Sequence, residues 1–300
     1  MKHILITVDV EDWFQVENLR TLIPMKTWSS QELRIQESTR RILRLLDLLS
    51  DKYGNQVQAT FFMLGWIARR MPGLVREIKA AGHEVASHGD NHMLCTELSE
   101  KDLLKDLIDS KKLLEDILQT QVFGYRAPSF SVSERILELI RQAGYKYDAS
   151  YNSFGLNSRY GRLNFNSNNK KGIALDLGQG FYELPVTNLS FGRRSLPCSG
   201  GGYFRLLPGP IFRLGVRLIL QREGAYHFYM HPWEVDPGQP RINELPAQLK
   251  FRHYVNLHKT LGRLQTLLDS FSECRFLSCK DYLRQTFNLS ANLSASADNM

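Results

Sequence analysis

The sequence predicts an α/β fold, and three observations carry that expectation. Short apolar, β-branched runs recur along the first half of the chain, amphipathic helical stretches alternate with them, and polar clusters stand where the apolar runs stop. Residues 3–9 open the series: Ile4-Leu5-Ile6-Thr7-Val8 reads as a buried parallel strand that ends in carboxylates. From Glu37 to Lys52, Ile42, Leu45, Leu46 and Leu49 recur at helical spacing among charged residues, and Gly54 stops the helix. A second strand is expected over 57–64, then a helix from Ile67 to Ala81 closed by Gly82. His83 to His88 reads as a third strand, followed by a long helix through Leu103, Leu107, Leu113, Leu114 and Ile117. Strand signals at Val122–Arg126 and Tyr145–Asp148 flank a helix at Glu134–Ala143, so residues 1–150 read as successive βα units. A barrel and a doubly wound sheet both satisfy that pattern.

The second half is less regular. Residues 151–180, rich in Asn, Ser, Gly and Lys, read as an irregular surface insertion, with order returning at Phe181–Val186. In Ser199-Gly200-Gly201-Gly202-Tyr203-Phe204-Arg205, aromatic neighbours around the glycines point to close backbone approach. Ala225–Met230 reads as a further strand and Arg252–Leu268 as a final helix packed on the body. The expected division is a main domain over 1–235, an extension packed on it over 236–287, and a disordered Ser- and Asn-rich tail over 288–300.

Composition narrows the function. The net charge is +7, but Lys and Arg are scattered among acids, so nucleic-acid binding is not expected. The same mild positive field suits an anionic glycan or a membrane-surface substrate. Four cysteines without a CxxC pair are expected as reduced thiols. No stretch approaches the roughly 18 apolar residues of a membrane span. A chain that starts at Met1 with a strand in place of a signal peptide is expected in the cytoplasm. Oligomeric state is not legible.

Candidate chemistry lies in three clusters. His88 and His92 stand four apart after a strand; at the start of a helix such a pair shares one face and can hold one ion. Asp9, Glu11 and Asp12 crowd three carboxylates at the end of the first strand, which a cation would relieve, though a solvated acidic turn explains them as well. Two imidazoles with one carboxylate make the open ligand set of a hydrolytic metal site. His231 ends an apolar strand and suits a general acid, whereas His227, earlier in that strand, reads as a core histidine bonded to a backbone carbonyl. Arg126-Ala127-Pro128 and Asp148-Ala149-Ser150 each follow a strand and are readable as turns.

In this order the motifs match a known family. The sequence resembles the NodB-homology polysaccharide deacetylases, carbohydrate esterase family four, on its first-strand acids, HxxxH, RxP, DxS and late histidine strand, which together span residues 7–231. Asp9-Val10-Glu11-Asp12-Trp13-Phe14, the GGGYFR segment, His231-Pro232-Trp233-Glu234 and Arg252-His253-Tyr254-Val255-Asn256 resemble the subfamily encoded with exopolysaccharide and exosortase loci. The resemblance implies a distorted (β/α) barrel of about seven strands and hydrolysis of an acetamide by metal-activated water. It implies Asp9 as base, His231 as acid and Arg126 as the group orienting the base. His88 and His92 would be metal ligands.

The third ligand is open. The family has adjacent aspartates, whereas Val10 follows Asp9 here; Asp12 is favoured as the shorter carboxylate, but strand alternation puts Glu11 on the face of Asp9. Zn is the expected metal, with Co, Ni and Fe suited to the same donors. Trp13, Trp233 and Tyr203 are candidate sugar-stacking walls, Pro128 a further candidate at the substrate, and Tyr125 or a neighbouring backbone N–H a candidate partner of the oxyanion. Trp66 is read as core. The implied partner is an N-acetylated glycan, with peripheral membrane contact if it is lipid-linked. A small cyclic amide or ureide is the alternative substrate, and a non-catalytic glycan-binding protein the third reading.

Overall fold

A computed structural model of the chain describes residues 1–153, 163, 169–191 and 194–289. Its first half follows the predicted alternation. Strand β1 (His3–Val10) is followed by helix α1 (Ile35–Tyr53) and β2 (Ala59–Met63), then by α2 (Gly65–Arg70), α3 (Pro72–Ala80) and β3 (Glu84–Ser87). Helix α4 (Glu100–Leu118), β4 (Gly124–Tyr125), α5 (Glu134–Gln142) and β5 (Tyr147–Asp148) complete it. The single helix expected over 67–81 is two, because Pro72 has no amide hydrogen to continue α2 and instead opens α3.

In the second half, β6 (Lys170–Lys171) and β7 (Ala174–Asp176) form a hairpin before β8 (Tyr182–Glu183). Regular structure is thus present from Lys170, 11 residues before the Phe181 that composition suggested; 154–162 and 164–168 lie outside the described residues. Strands β9 (Leu189–Phe191) and β10 (Arg194–Leu196) pair with each other. Helices α6 (Gly201–Leu206) and α7 (Gly209–Glu223) lead to β11 (Ala225–Met230), the strand expected at those bounds. The final helix expected over 252–268 is divided into α8 (Ala247–Tyr254) and α9 (Leu257–Asp269), because Val255 is extended and Asn256 left-handed. Strand β12 (Arg275–Phe276) and α10 (Cys279–Phe287) follow; the tail beyond Leu289 lies outside the described residues.

The main sheet runs β11-β1-β2-β3-β4-β5-β8-β7-β6, with β12 beside the start of β1. Its first seven strands are all parallel, in keeping with the distorted barrel of about seven strands. The sheet curls, and among the described residues no continuous ladder joins β8 to β11. Across that gap the His227 amide donates to Thr187 Oγ1 at 3.0 Å, and His227 Nδ1 meets the Pro185 carbonyl at 3.0 Å. Parallel strands covered on both faces are predominantly apolar, and β1, β2 and β11 are buried from end to end save His3, their polar Thr7, Asp9, Thr60 and His227 each taken up in a hydrogen bond. Residues after 235 do not stand apart from this sheet: β12 pairs with His3 and Ile4 of β1. All four cysteines are buried free thiols.

Candidate active site at the strand ends

The functional side chains collect at the C-terminal ends of β1, β3, β4 and β11, where each strand delivers its last residues to one rim. Asp9 is the penultimate residue of β1. Its Oδ1 accepts from Arg126 Nη1 at 2.7 Å, and both groups are buried. Arg126 is itself fixed on every side. It donates to Thr7 Oγ1 at 2.8 Å and to the Ala149 carbonyl at 2.9 Å, and its Nη2 lies 2.9 Å from His227 Nε2. Because Nδ1 of His227 faces a carbonyl, that nitrogen carries the proton and Nε2 accepts from the guanidinium. His227 is the carbonyl-bonded core histidine expected, and it also braces Arg126. Burial, then the adjacent Arg126, holds its imidazole well below the usual range and hence neutral.

The RxP and DxS turns interlock beneath this pair. Ser150 Oγ accepts from the Ala127 amide at 2.8 Å and donates to Asp148 at 2.7 Å. Asp148 and Glu183 are both buried there; burial raises both carboxyls, and the neighbouring Asp148 pushes Glu183 well above the usual range.

After β1 the chain turns sharply, the Glu11 amide donating to the Asp9 carbonyl at 2.9 Å. Glu11 Oε1 then lies 3.1 Å from His88 Nε2 and 3.0 Å from His92 Nε2. The two histidines do not share a helix, as their spacing suggested. Residues 88–94 are irregular, and left-handed backbone at Gly89 and His92 brings the rings to 5.5 Å. A Cβ at Gly89 would sit 3.0 Å from Asp106, whose carboxylate receives the Asp90 amide.

Glu11, His88 and His92, all buried, offer ligand atoms within 4.8 Å of one another. Their hydrogen bonding shows why a cation fits. His88 Nδ1 faces the Arg126 carbonyl at 2.7 Å, which can only accept, so the proton of a neutral ring sits on Nδ1. Nε2 then presents a lone pair to a carboxylate oxygen, and two acceptors at that separation need a positive charge between them. Burial opposes ionisation of Glu11, yet the neighbouring His92 and His231 hold its carboxyl well below the usual range. The donor chemistry thus suits a divalent ion.

Asp12, the favoured third ligand, is placed elsewhere. Its Oδ1 accepts the Trp13 amide at 2.8 Å, and its Oδ2 accepts the amides of Arg34 and Ile35 at 2.8 and 3.0 Å. It ties the loop after β1 to the start of α1. Burial lifts its carboxyl to about 6 despite those three donors.

His231 follows β11, and its Nε2 lies 3.9 Å from Asp9 Oδ2 and 3.7 Å from Glu11. Its Nδ1 is 2.8 Å from Glu234 Oε1, which also accepts the His231 amide. Glu234 Oε2 receives Arg205 Nε at 2.7 Å, and Arg205 Nη1 donates to the His253 carbonyl at 2.6 Å. Burial opposes charge on His231, but Glu11, Glu234 and Asp9 raise its pKa to about 9. Sequence reasoning missed Glu234 and Arg205 as members of the site. The signal was the three-residue step from His231 to Glu234, which closes a reciprocal hydrogen-bonded cap.

The wall candidates divide. Trp13 is buried, donates Nε1 to the Glu32 carbonyl at 3.0 Å and packs on Phe14, so it is core and presents no face to a sugar. Trp233 lines the pocket, but its ring stacks with His231 and His253, at 5.4 and 4.5 Å between centroids, so imidazoles take the contacts reserved for a pyranose. Tyr125 is turned into the core, its hydroxyl 3.2 Å from Cys95 Sγ, which removes it as an oxyanion partner. Pro128 is buried at the start of a short turn whose next residues, Ser129 and Phe130, line the pocket. Tyr203 sits 5.6 Å below the guanidinium of Arg252, a pocket residue. Trp66 is core, as expected, packed on Phe14 and Trp28.

Gly200 explains the close approach read from GGGYFR. A Cβ there would lie 1.8 Å from the Tyr229 carbonyl oxygen, and its φ of +141° is a conformation that glycine tolerates. This contact seats α6 against β11 and carries Arg205 to Glu234. The resulting pocket, about 120 Å³, is lined by Asp9, Glu11 and His92 on one side and by Gly201, Arg205 and His231 on the other.

The fold and site set a carboxylate, two imidazoles and a carboxylate–arginine pair at the rim of a curled parallel sheet. Residues 30–147 match the family described as polysaccharide deacetylase, and residues 149–284 match a domain of unknown function, DUF3473. The first of these matches identifies residues 30–147 as a polysaccharide deacetylase domain. It is 31% identical over 103 residues to a peptidoglycan-N-acetylglucosamine deacetylase of Bacillus cereus, covering 34% of this chain and 46% of that one. It is 30% identical over 101 residues to a chitooligosaccharide deacetylase of Sinorhizobium fredii, covering 33% and 46%. The chain thus spans less than half the length of these relatives. Among solved structures, a Mycobacterium smegmatis protein whose name assigns it to the polysaccharide deacetylases has a TM-score of 0.62 at 18% identity, covering 96% of this chain and 91% of that one. The Puue allantoinase gives 0.61 at 13% identity, covering 97% and 92%, so these two likenesses describe the fold alone. The boundary between the two matched regions falls between Tyr147 and Ala149, inside the sheet, where β5 pairs with β8.

Proposed function

We propose that the protein removes N-acetyl groups from amino-sugar units of a polysaccharide or of its lipid-linked precursor. The observation that carries this reading is the meeting of Asp9 and His231 beside Glu11, His88 and His92 in one pocket. Glu11, His88 and His92 would hold the metal, Zn first, with Co, Ni or Fe suited to the same donors. When bound, such an ion supplies Lewis acidity toward the acetamide carbonyl and the attacking water.

The chain's own residues do the rest. Asp9, with Oδ1 fixed by Arg126, presents Oδ2 to take the proton of the attacking water. His231 gives its Nε2 proton to the departing amine, which is a poor leaving group until protonated. Glu234 holds Nδ1, so the imidazole keeps its orientation through both proton transfers. Arg205 fixes Glu234 in turn. The glycan would lie over the rim formed by Ser129, Phe130, Gly202 and Arg252. A cytoplasmic protein would meet the lipid-linked precursor rather than finished exopolysaccharide, and an exopolysaccharide pathway would supply it.

The test is acetate release from N-acetylated oligosaccharides by protein stripped of metal and reloaded with Zn, beside Asp9→Asn and His88→Ala. Release that needs Zn and both residues is expected. Metal binding with hydrolysis of a ureide such as allantoin, and no acetate from any glycan, would transfer the site to the alternative substrate class.

A further inference from the structure

Helix α7 is apolar on two sides. Phe212, Gly215, Val216, Ile219 and Leu220 are buried against the body, as a surface helix requires. Yet Ile211, Leu214 and Leu218, spaced at three and four residues and so on one outward stripe, are 58, 53 and 38% exposed. Single exposed leucines are ordinary, whereas three aligned on one helix face form a patch that water does not favour.

The charges on the helix indicate what covers the stripe. Helical geometry sets Arg217 and Arg222 on its two flanks, and Arg213 lies beyond Arg217. The one acid of α7, Glu223, is engaged by Lys170 at 2.6 Å and Arg222 at 3.8 Å. Beside α7 lies a groove of about 380 Å³ against α9, lined by Phe204, Phe212 and Leu267 and by the cations Arg213, Lys259 and Arg263. An apolar stripe between arginines, with no carboxylate left over, complements a surface that is apolar within and anionic outside. A second copy docking by the same face would set these arginines against their own equivalents. No helix among the described residues is long and apolar enough to cross a membrane.

We propose that α7 docks the protein onto an anionic lipid bilayer, with Ile211, Leu214 and Leu218 entering the headgroup boundary. Helix α6 runs from Gly201 and Arg205 of the pocket directly to the start of α7, so docking would hold the pocket beside the bilayer. Docking itself is independent of the deacetylase reading; only the corollary, that the glycan is presented on a lipid anchor, rests on it.

The test is co-sedimentation of the full chain with phosphatidylcholine vesicles, with and without phosphatidylglycerol. Binding is expected only to the anionic vesicles and is expected to weaken with salt. Arg217→Gln and Arg222→Gln should each weaken it roughly fivefold, from about 1 kcal/mol per basic residue near such a surface. Ile211→Ser with Leu214→Ser should abolish sedimentation while acetate release from soluble oligosaccharides is unchanged. No binding to anionic vesicles, or binding indifferent to both sets of variants, would overturn the proposal. So would an apolar variant that turns a dimer into a monomer, since the stripe would then belong to a second copy. Loss of acetate release in wild type with vesicle binding intact would count against the function and leave the docking face standing.

Discussion

The two walls of the pocket are built differently. One comes from residues 9–126: Asp9, His88 and Arg126 stand at the ends of β1, β3 and β4, whose backbone ladders set their positions, and Glu11 and His92 follow on the turns beyond. The other comes from residues 201–253, where Arg205, Glu234 and His231 are held by a chain of side-chain hydrogen bonds anchored on the His253 carbonyl. On the proposed function the first wall would carry the base and the metal donors and the second the acid. A ladder holds the backbone of the first wall in place when one of its side chains is changed, although the buried Asp9–Arg126 pair there also needs both partners. A wall built of linked side chains loses its geometry when one link is cut, because each charge is buried and needs its partner.

The largest effect belongs to the base. Asp9→Asn keeps the hydrogen bond from Arg126 within reach but cannot take a proton, and acetate release should fall by about 10²–10⁴. Retention of more than a tenth of the activity would remove Asp9 from the chemistry.

Next is the contrast between neighbouring carboxylates. Glu11→Gln should weaken Zn binding by roughly 100-fold or more, as read by calorimetry. Asp12→Asn should leave Zn affinity in place and cost stability, about 1–3 kcal/mol for backbone donors that lose their acceptor. The opposite pattern would return the third ligand to Asp12.

The second wall can be loosened from its backbone. Gly200→Ala drives a Cβ into the Tyr229 carbonyl, and a loss of at least ~2 kcal/mol is expected from strain and overpacking, together with lower activity. Thermal denaturation reads the first and kcat the second. A neutral outcome in both would mean that the close approach does not hold α6.

The smallest effect lies outside both walls. His83 is buried beside Phe61, and desolvation depresses its pKa from 6.5 to about 4. Between those values the unfolded chain binds a proton that the folded chain refuses, so stability falls as pH drops through 6.5 and stops falling on this account near 4. The slope contributed is at most ~1.4 kcal/mol per pH unit. His83→Phe should make the decline shallower in urea denaturation at successive pH values, and an unchanged slope would show that the group is protonated in the fold.

Legibility followed the same division. The βα units of the first half were readable because periodicity and strand-end polarity are local, and β11 was readable for the same reason. Asp9, His88, His92, Arg126 and His231 were singled out because their motifs are short and ordered. Helix breaks at Pro72 and at Asn256 blurred under continuous apolar spacing. Between Glu11 and Asp12, strand alternation pointed to Glu11; what no periodicity encodes is the turn that carries Asp12 to the amides of Arg34 and Ile35. Tyr125 and Trp13 were aromatic and well placed in sequence, but the fate of a side chain at a strand end depends on packing across the sheet. Arg205 and Glu234 are 29 residues apart and meet only because Gly200 lets α6 lie against β11.

The central claim is that the second wall tunes the acid for a reaction whose base stands on the first. The most direct measurement is kcat for acetate release by Glu234→Gln, with Zn content determined on the same preparation. The account predicts full Zn occupancy and a kcat lowered by about 100-fold or more, because the imidazole loses the carboxylate that holds Nδ1. Wild-type kcat at full Zn occupancy would contradict it and leave the site to the first wall alone.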